Sequence, residues 1–217
     1  NGPGTPRAFN SLNVPPSGIH SRWRSGATYQ LVTASPDHLT MVFAYCATGT
    51  AAEHLLAHFP AARVCGIDVS AASIEQARQI HQDERVCFFT PSPLPADIRF
   101  DLAYCNGVFH HIPPVQRADA LRQIYDLLNP GGVFALWENN PWNPGTRIVM
   151  SRVEFDRDAI MLWPGATRRL LRECGFRLLR NDYLFYLPSF LKFLRPLERY
   201  LIRIPMGGQY LILCQKA

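Results

Sequence analysis

The sequence predicts an α/β fold: a doubly wound, mostly parallel sheet of seven strands with helices on both faces. Three observations carry that prediction. From Leu39 onward, short apolar runs alternate with segments of helical period, and this alternation builds a parallel sheet covered on both sides. The stretch Phe100-Asp101-Leu102-Ala103-Tyr104-Cys105-Asn106-Gly107 is a buried strand ending in small polar residues. An amphipathic helix, an Asn129-Pro130-Gly131-Gly132 turn and a second buried strand, Val133 to Glu138, follow it. The chain has 217 residues and is 47% hydrophobic, which suits one domain with a sizeable core.

Residues 1–37 are rich in Pro, Gly and Ser and weak in periodicity, so they read as an irregular arm, with a short helix around Ser21 to Leu31. Residues 38–217 read as the folded domain. Leu39 to Cys46 is the first strand. Thr50-Ala51-Ala52-Glu53 has the spacing of a capping box, and Ala52, Leu55, Leu56 and Phe59 form one helical face. Pro60 ends that helix. Arg63 to Asp68 is the second strand, and Ser70 caps a helix carrying Ile74, Ala77 and Ile80. Val86 to Phe89 and Asp101 to Cys105 are the third and fourth strands. Ala120, Leu121, Ile124, Leu127 and Leu128 line the next helix, stopped by the Asn-Pro-Gly-Gly turn. Val133 to Trp137 is the fifth strand. A helix through Arg168 to Cys174 then precedes two last strands, Phe176 to Leu187 and Gln209 to Gln215.

The stretch from Phe100 to Glu138, with Asn106-Gly107 and His110-His111 after its first strand, resembles the S-adenosylmethionine-dependent methyltransferases of the class I, Rossmann-like kind. The resemblance covers roughly residues 38 to 217. It implies an antiparallel C-terminal strand, S-adenosylmethionine as cofactor, S-adenosylhomocysteine as product and a small-molecule acceptor.

The resemblance assigns Ala47, Gly49, Asp68, Val69, Thr90, Asn106 and Gly107 to the cofactor. The first loop, Ala44-Tyr45-Cys46-Ala47-Thr48-Gly49-Thr50, departs from the family's glycine-rich pattern. Only Gly49 remains; Tyr45 and Ala47 stand at glycine positions, and Phe43 replaces an acid. An ordinary strand-to-helix turn fits the loop equally well. Asp68 ends the second strand about 20 residues past that loop, the spacing of a ribose-binding acid. An ionised Asp can accept both ribose hydroxyls, and by the family pattern Val69 packs on adenine. The other reading of Asp68 is a helix-start residue favoured by the dipole. Thr90 stands where many relatives carry an adenine-reading Asp; a plain loop residue fits it as well. Gly107 permits close approach to the methionine end of the cofactor.

A hydroxyl acceptor benefits from a general base, and His110 and His111 are the catalytic candidates. Hydrogen bonding to backbone or to the cofactor carboxylate is an equal use for such a pair. Glu138, Asn139, Asn140 and Trp142 form a polar and aromatic segment suited to lining a substrate pocket, or to a plain connecting loop. No spaced His/Asp/Glu cluster stands out, so no metal is expected.

The formal charge is +5, with much of the excess in the C-terminal third. A solvated helical face is the first explanation; an acidic substrate, a membrane surface or RNA are the others. Signatures of nucleic-acid amino methylation are missing after the fourth strand, which argues against nucleic acid. Residues 189–204 pair an apolar set (Phe190, Leu191, Leu194, Leu197, Leu201) with Lys192, Arg195, Arg199 and Arg203. This suggests peripheral membrane contact and an apolar, lipid- or quinone-like acceptor, although a helix packed on the sheet is the commoner cause of such a pattern.

No apolar run approaches the roughly 20 residues that span a bilayer. The six cysteines include no Cys-x-x-Cys pair, so buried free thiols in a reducing, cytoplasmic setting are expected. A nicotinamide dehydrogenase is disfavoured because Gly-x-Gly-x-x-Gly is absent. Two functions remain: an active methyltransferase on a small molecule, and a non-catalytic binding module that keeps the fold with a degenerate cofactor loop.

Overall fold

The computed structural model describes residues 39–44, 49–92, 94 and 98–217. The expected N-terminal arm, Tyr45, Cys46, Ala47 and Thr48 lie outside them. Seven strands follow in the order β3-β2-β1-β4-β5-β7-β6. Two compact units divide the chain between Leu102 and Ala103.

The first unit holds β1 (Thr40–Ala44), α1 (Ala51–His58), β2 (Arg63–Ile67), α2 (Ala71–Ile80), β3 (Val86–Phe89) and the start of β4 (Phe100–Asn106). The strands β1, β2 and β3 pair in parallel, Val42 opposite Cys65 and Cys65 opposite Cys87. Met41, Val42 and Phe43 are all buried, as befits a parallel strand covered on both faces. Ala52, Leu55 and Leu56 of α1 and Ile74 and Ala77 of α2 are buried as the periodicity marks out, whereas Ile80, expected on the same face of α2, is exposed at its last turn. Asp101 joins β4 to β1: its Oδ2 accepts from the Thr40 amide at 2.9 Å and from its hydroxyl at 2.8 Å.

The two helix starts differ. Ser70 caps α2 as expected, its hydroxyl accepting from the Ser73 amide at 3.2 Å. The capping box at Thr50 does not form. Thr50 is already helical in its dihedrals, so its side chain makes no cap bond, and Glu53 lies 3.7 Å from His81 Nδ1 instead.

The cysteine expectation also needs correction. Cys65 and Cys87 face each other in register, 4.6 Å apart at Cα, and are joined as a disulfide. Strand pairing makes that partnership, across 22 residues of sequence, where spacing rules cannot see it. Cys105, Cys174 and Cys214 are buried free thiols, as expected.

The second unit holds the end of β4, α3 (Arg117–Leu127), β5 (Leu128–Asn139), α4 (Pro144–Arg152), α5 (Pro164–Glu173), β6 (Phe176–Leu184), α6 (Glu198–Leu201) and β7 (Gln209–Lys216). Antiparallel β7 lies between β5 and β6, with Phe134 opposite Cys214 and Leu178 opposite Cys214 on the other side. Phe109, Leu121, Leu128, Phe134, Leu136, Leu171, Tyr210 and Ile212 form the core. The helix stops before the Asn-Pro-Gly-Gly stretch, at Leu127, but Leu128, expected on the helix, opens β5, and the expected turn residues lie within that strand, with Gly131 at φ 77°. Lys216 secures that end, its ammonium donating to the Tyr125 and Leu128 carbonyls at 2.8 and 2.9 Å. Residues 189–204 are not one α-helix. A 3-10 run, Ser189–Leu197, contains Pro196 and precedes the short α6. Among the described residues, no helix is long and apolar enough to cross a membrane.

Candidate active site

In the first unit, four sequence candidates stand at or just past the carboxyl ends of the strands. Asp68 follows β2 directly and is half-buried. Its Oδ1 accepts from the Ser70 amide at 2.9 Å, so the carboxylate has the helix-start geometry at the end of β2. Val69 is 70% exposed, an apolar side chain offered to solvent at the same strand end. Thr90 follows β3, its hydroxyl donating to the Ser92 carbonyl at 3.3 Å.

Gly49 has φ +82°, and a Cβ built there would stand 2.6 Å from Phe88 and 2.9 Å from His81. Packing alone therefore requires glycine at this position. Gly49→Ala is expected to lower unfolding free energy by about 1–3 kcal/mol, through left-handed strain and overpacking. Urea denaturation checks it; an unchanged midpoint would show that Phe88 and His81 yield without cost.

In the second unit, β4 ends at Asn106, and Gly107 follows with φ +64°. Here a Cβ would meet nothing nearer than His110 Cε1 at 3.8 Å, so the glycine leaves open room. Its amide donates to the Trp137 carbonyl at 2.8 Å, which ties the end of β4 to β5. Polar backbone, open space and an exposed Asn at a strand end suit the polar end of a cofactor.

The chain then makes a 3-10 turn, Phe109–His111, and Glu138 organises it. Glu138 sits near the end of β5 and is fully buried. Its Oε1 accepts from the amides of Val108 at 3.0 Å and Phe109 at 2.7 Å, and its Oε2 lies 2.7 Å from His110 Nδ1. On the other side of the ring, His110 Nε2 is 3.6 Å from Asp156 Oδ1. His111 Nε2 approaches the same oxygen at 3.3 Å. Asp156 comes from a second 3-10 turn, Glu154–Asp156, whose Phe155 ring packs 4.3 Å from that of His111.

The two histidines have opposite electrostatics. Burial opposes charge on His110, but the Glu138 and Asp156 carboxylates outweigh it, and its pKa lies above the usual value. Burial, helped by the charge of His110, holds His111 below the usual value despite Asp156. The proton is therefore held more tightly on the ring between two carboxylates than on its half-buried neighbour.

Arg117 braces the cluster from the start of α3. Its guanidinium donates to the Ile112 carbonyl at 2.9 Å and the Ile160 carbonyl at 2.5 Å, while the Ile160 amide donates to the His110 carbonyl at 2.8 Å.

The pocket-lining reading of residues 138–142 changes. Glu138 turns inward to His110. Asn140 is fully buried, donating to the carbonyls of Pro205 and Gly207, and so fastens its loop rather than facing a ligand. Trp142 is half exposed, edge-on to Trp163 at 6.3 Å.

Asp156 and Arg117 escape sequence reading. Asp156 lies 45 residues past His111, in a turn without periodicity. A sign of Arg117 was present: a cation at a helix start opposes the helix dipole, so it needs another reason to be there. His110, His111 and Asp156 also bring three ligand-type atoms within 4.8 Å of one another, a grouping capable of holding a metal that the spacing did not reveal. The pairing of His110 with Glu138 and Asp156 engages both of its ring nitrogens.

Residues 45–134 match a protein family described as a methyltransferase domain. The trans-aconitate 2-methyltransferase of Escherichia coli (strain K12 / DH10B) is 31% identical over 120 residues, covering 52% of this chain and 44% of that protein. The chain thus spans less than half the length of the curated relatives it matches. Among solved structures, an S-adenosylmethionine-dependent methyltransferase from Mesorhizobium loti aligns with TM-score 0.60 and 22% identity over 87% of this chain and 96% of its own. One from Archaeoglobus fulgidus aligns with TM-score 0.64 and 15% identity, over 87% and 90%.

Proposed function

We propose, starting from a chain whose fold and matched domain are those of the class I S-adenosylmethionine-dependent methyltransferases, that it methylates an oxygen of a small-molecule acceptor. The observation that carries this is the cluster of His110 and His111, just past β4, with Glu138 near the end of β5 and Asp156 from the later 3-10 turn. A sheet of this kind binds ligands outside the carboxyl ends of its strands.

The residues assigned to the cofactor are Gly49, Asp68, Val69 and Thr90 of the first unit and Asn106 and Gly107 of the second, with Ala47 outside the described residues. Asp68 supplies a carboxylate acceptor for ribose hydroxyls, and Gly107 supplies open backbone. When bound, S-adenosylmethionine supplies a methyl group activated by a sulfonium.

The protein's part is to position the acceptor and take its proton. His111 suits the second task because it is neutral near pH 7 and a quarter exposed. With Nε2–H directed at Asp156, its Nδ1 is the atom left to accept the hydroxyl proton as the acceptor oxygen takes the methyl group. His110 and Glu138 hold the turn that presents it. An apolar or lipid-like acceptor fits the exposed pair Trp142 and Trp163 of the same unit.

A second reading, a binding module without catalysis, draws on Gly49, whose glycine is already required by the packing of Phe88 and His81 and so needs no cofactor to explain it. Calorimetric titration with S-adenosylmethionine and S-adenosylhomocysteine decides first. Saturable binding of both, weakened at least about tenfold by Asp68→Ala, is expected for the loss of two hydroxyl hydrogen bonds to a charged group. Binding without turnover across a broad acceptor screen would favour the module. No binding at millimolar ligand would overturn the methyl-transfer reading.

A further inference from the structure

We propose that the outward face of residues 189–206 docks on an anionic lipid bilayer, whatever reaction the chain performs. Phe190, Phe193, Leu197, Tyr200 and Ile204 are spread along the 3-10 run, the short α6 and the residues just after it. All five are exposed, Phe190 at 76%, Phe193 at 70% and Tyr200 at 69%. The inner side of the same segment has its own partners. Leu191, Leu194 and Leu201 are half-buried, and the Tyr183 amide donates to the Ile202 carbonyl at 2.8 Å. The segment is therefore anchored from within and apolar without. A lone exposed Leu or Phe needs no explanation, but five in one short segment do.

Charge chooses the occupant. Lys192, Arg195, Arg199 and Arg203 are interleaved with these residues in the same segment. The only acid between Phe185 and Gly208 is Glu198, and it is 2% exposed, its carboxylate accepting from the Leu187 amide. Arg203 spends part of its charge on Asp182 at 3.5 Å, whereas Lys192 and Arg199 are exposed to solvent. The Arg199 guanidinium lies 4.7 Å above the exposed Tyr200 ring, placing a cation and an aromatic together at the surface. Cations around aromatic and aliphatic side chains match a headgroup layer over acyl chains. A second copy of this face would bring the same positive charges against one another, which disfavours self-association.

The test uses the full chain and co-sedimentation with vesicles of phosphatidylglycerol and phosphatidylcholine, against phosphatidylcholine alone. Binding to the anionic vesicles is expected, weaker by about tenfold or more on neutral ones and falling as salt screens the cations. Phe190→Ser with Phe193→Ser, and separately Lys192→Glu with Arg199→Glu, should each abolish binding. Their melting curves should match the parent, because the four side chains are exposed. Absence of binding, equal binding to both vesicles, or variants that bind like the parent would overturn the proposal. So would a dimer in sedimentation velocity that these substitutions dissolve, because the segment would then belong to a second copy.

Discussion

Glu138→Ala is expected to cost about 3–5 kcal/mol of unfolding free energy, the range for removing one partner of a buried ion pair. The carboxylate is fully buried and satisfies two amides and an imidazole at once. Its loss leaves the Val108 and Phe109 amides without an acceptor, and leaves the His110 charge with only Asp156 at 3.6 Å. Urea denaturation of parent, Glu138→Ala, His110→Ala and the double variant measures the coupling, expected at about 1–3 kcal/mol. The pH dependence carries a sign. His110 has its folded pKa raised above 6.5, so its pairing contributes stability that is fully present below pH 6.5. That contribution is lost as pH rises through the folded value. Glu138→Gln keeps the size and removes the charge, so this fall should shrink or disappear. Additive single variants and a parent insensitive to pH above 6.5 would show that the pair is not coupled.

His111→Ala should lower methyl transfer by about 10²–10⁴-fold, the usual worth of a positioned general base, while leaving cofactor affinity unchanged. Burial and the His110 charge hold the His111 pKa below 6.5, so the parent rate should rise with pH through that lower value and be level at neutrality. Asp156→Asn should lower the pKa further, because the larger of the two charges that favour the imidazolium is gone and only Glu138 remains. NMR titration of the His111 ring reads this directly and needs no acceptor. Single-turnover rates then read the chemistry with any acceptor the screen returns. A rate indifferent to His111 would assign the imidazole to packing against Phe155.

Most of the fold was legible because each parallel strand is an apolar run and each helix buries a periodic face. Met41 to Phe43 and Ile74 with Ala77 are buried as their pattern requires. Asp68 and Ser70 were legible together, since a strand end and a helix cap are both local signals. The site was half legible. His110 and His111 stand beside a strand end that sequence can locate. Their partners do not: Glu138 reads as one polar residue among several in a loop, and only the folded chain turns it inward. Asp156 is in a 3-10 turn, where side-chain spacing carries no signal. Cys65 and Cys87 became partners through strand register, and Thr50 lost its capping role because its own backbone joined the helix. In each case the deciding interaction is long-range or depends on a single dihedral.

The insertion of β7 between β5 and β6 governs the order of assembly. Seventy residues separate Asn139 from its partner Gln209, and β6 is made before the strand it pairs with. A ribosome-bound chain that stops short of residue 209 holds β5 and β6 with the slot between them open, two unpaired edges exposed to other chains. The second unit must therefore complete its sheet after its last strand has been released from the exit tunnel. Folding there waits on closure of a long loop, a slow and aggregation-exposed step that chaperone binding to the unfinished sheet would protect.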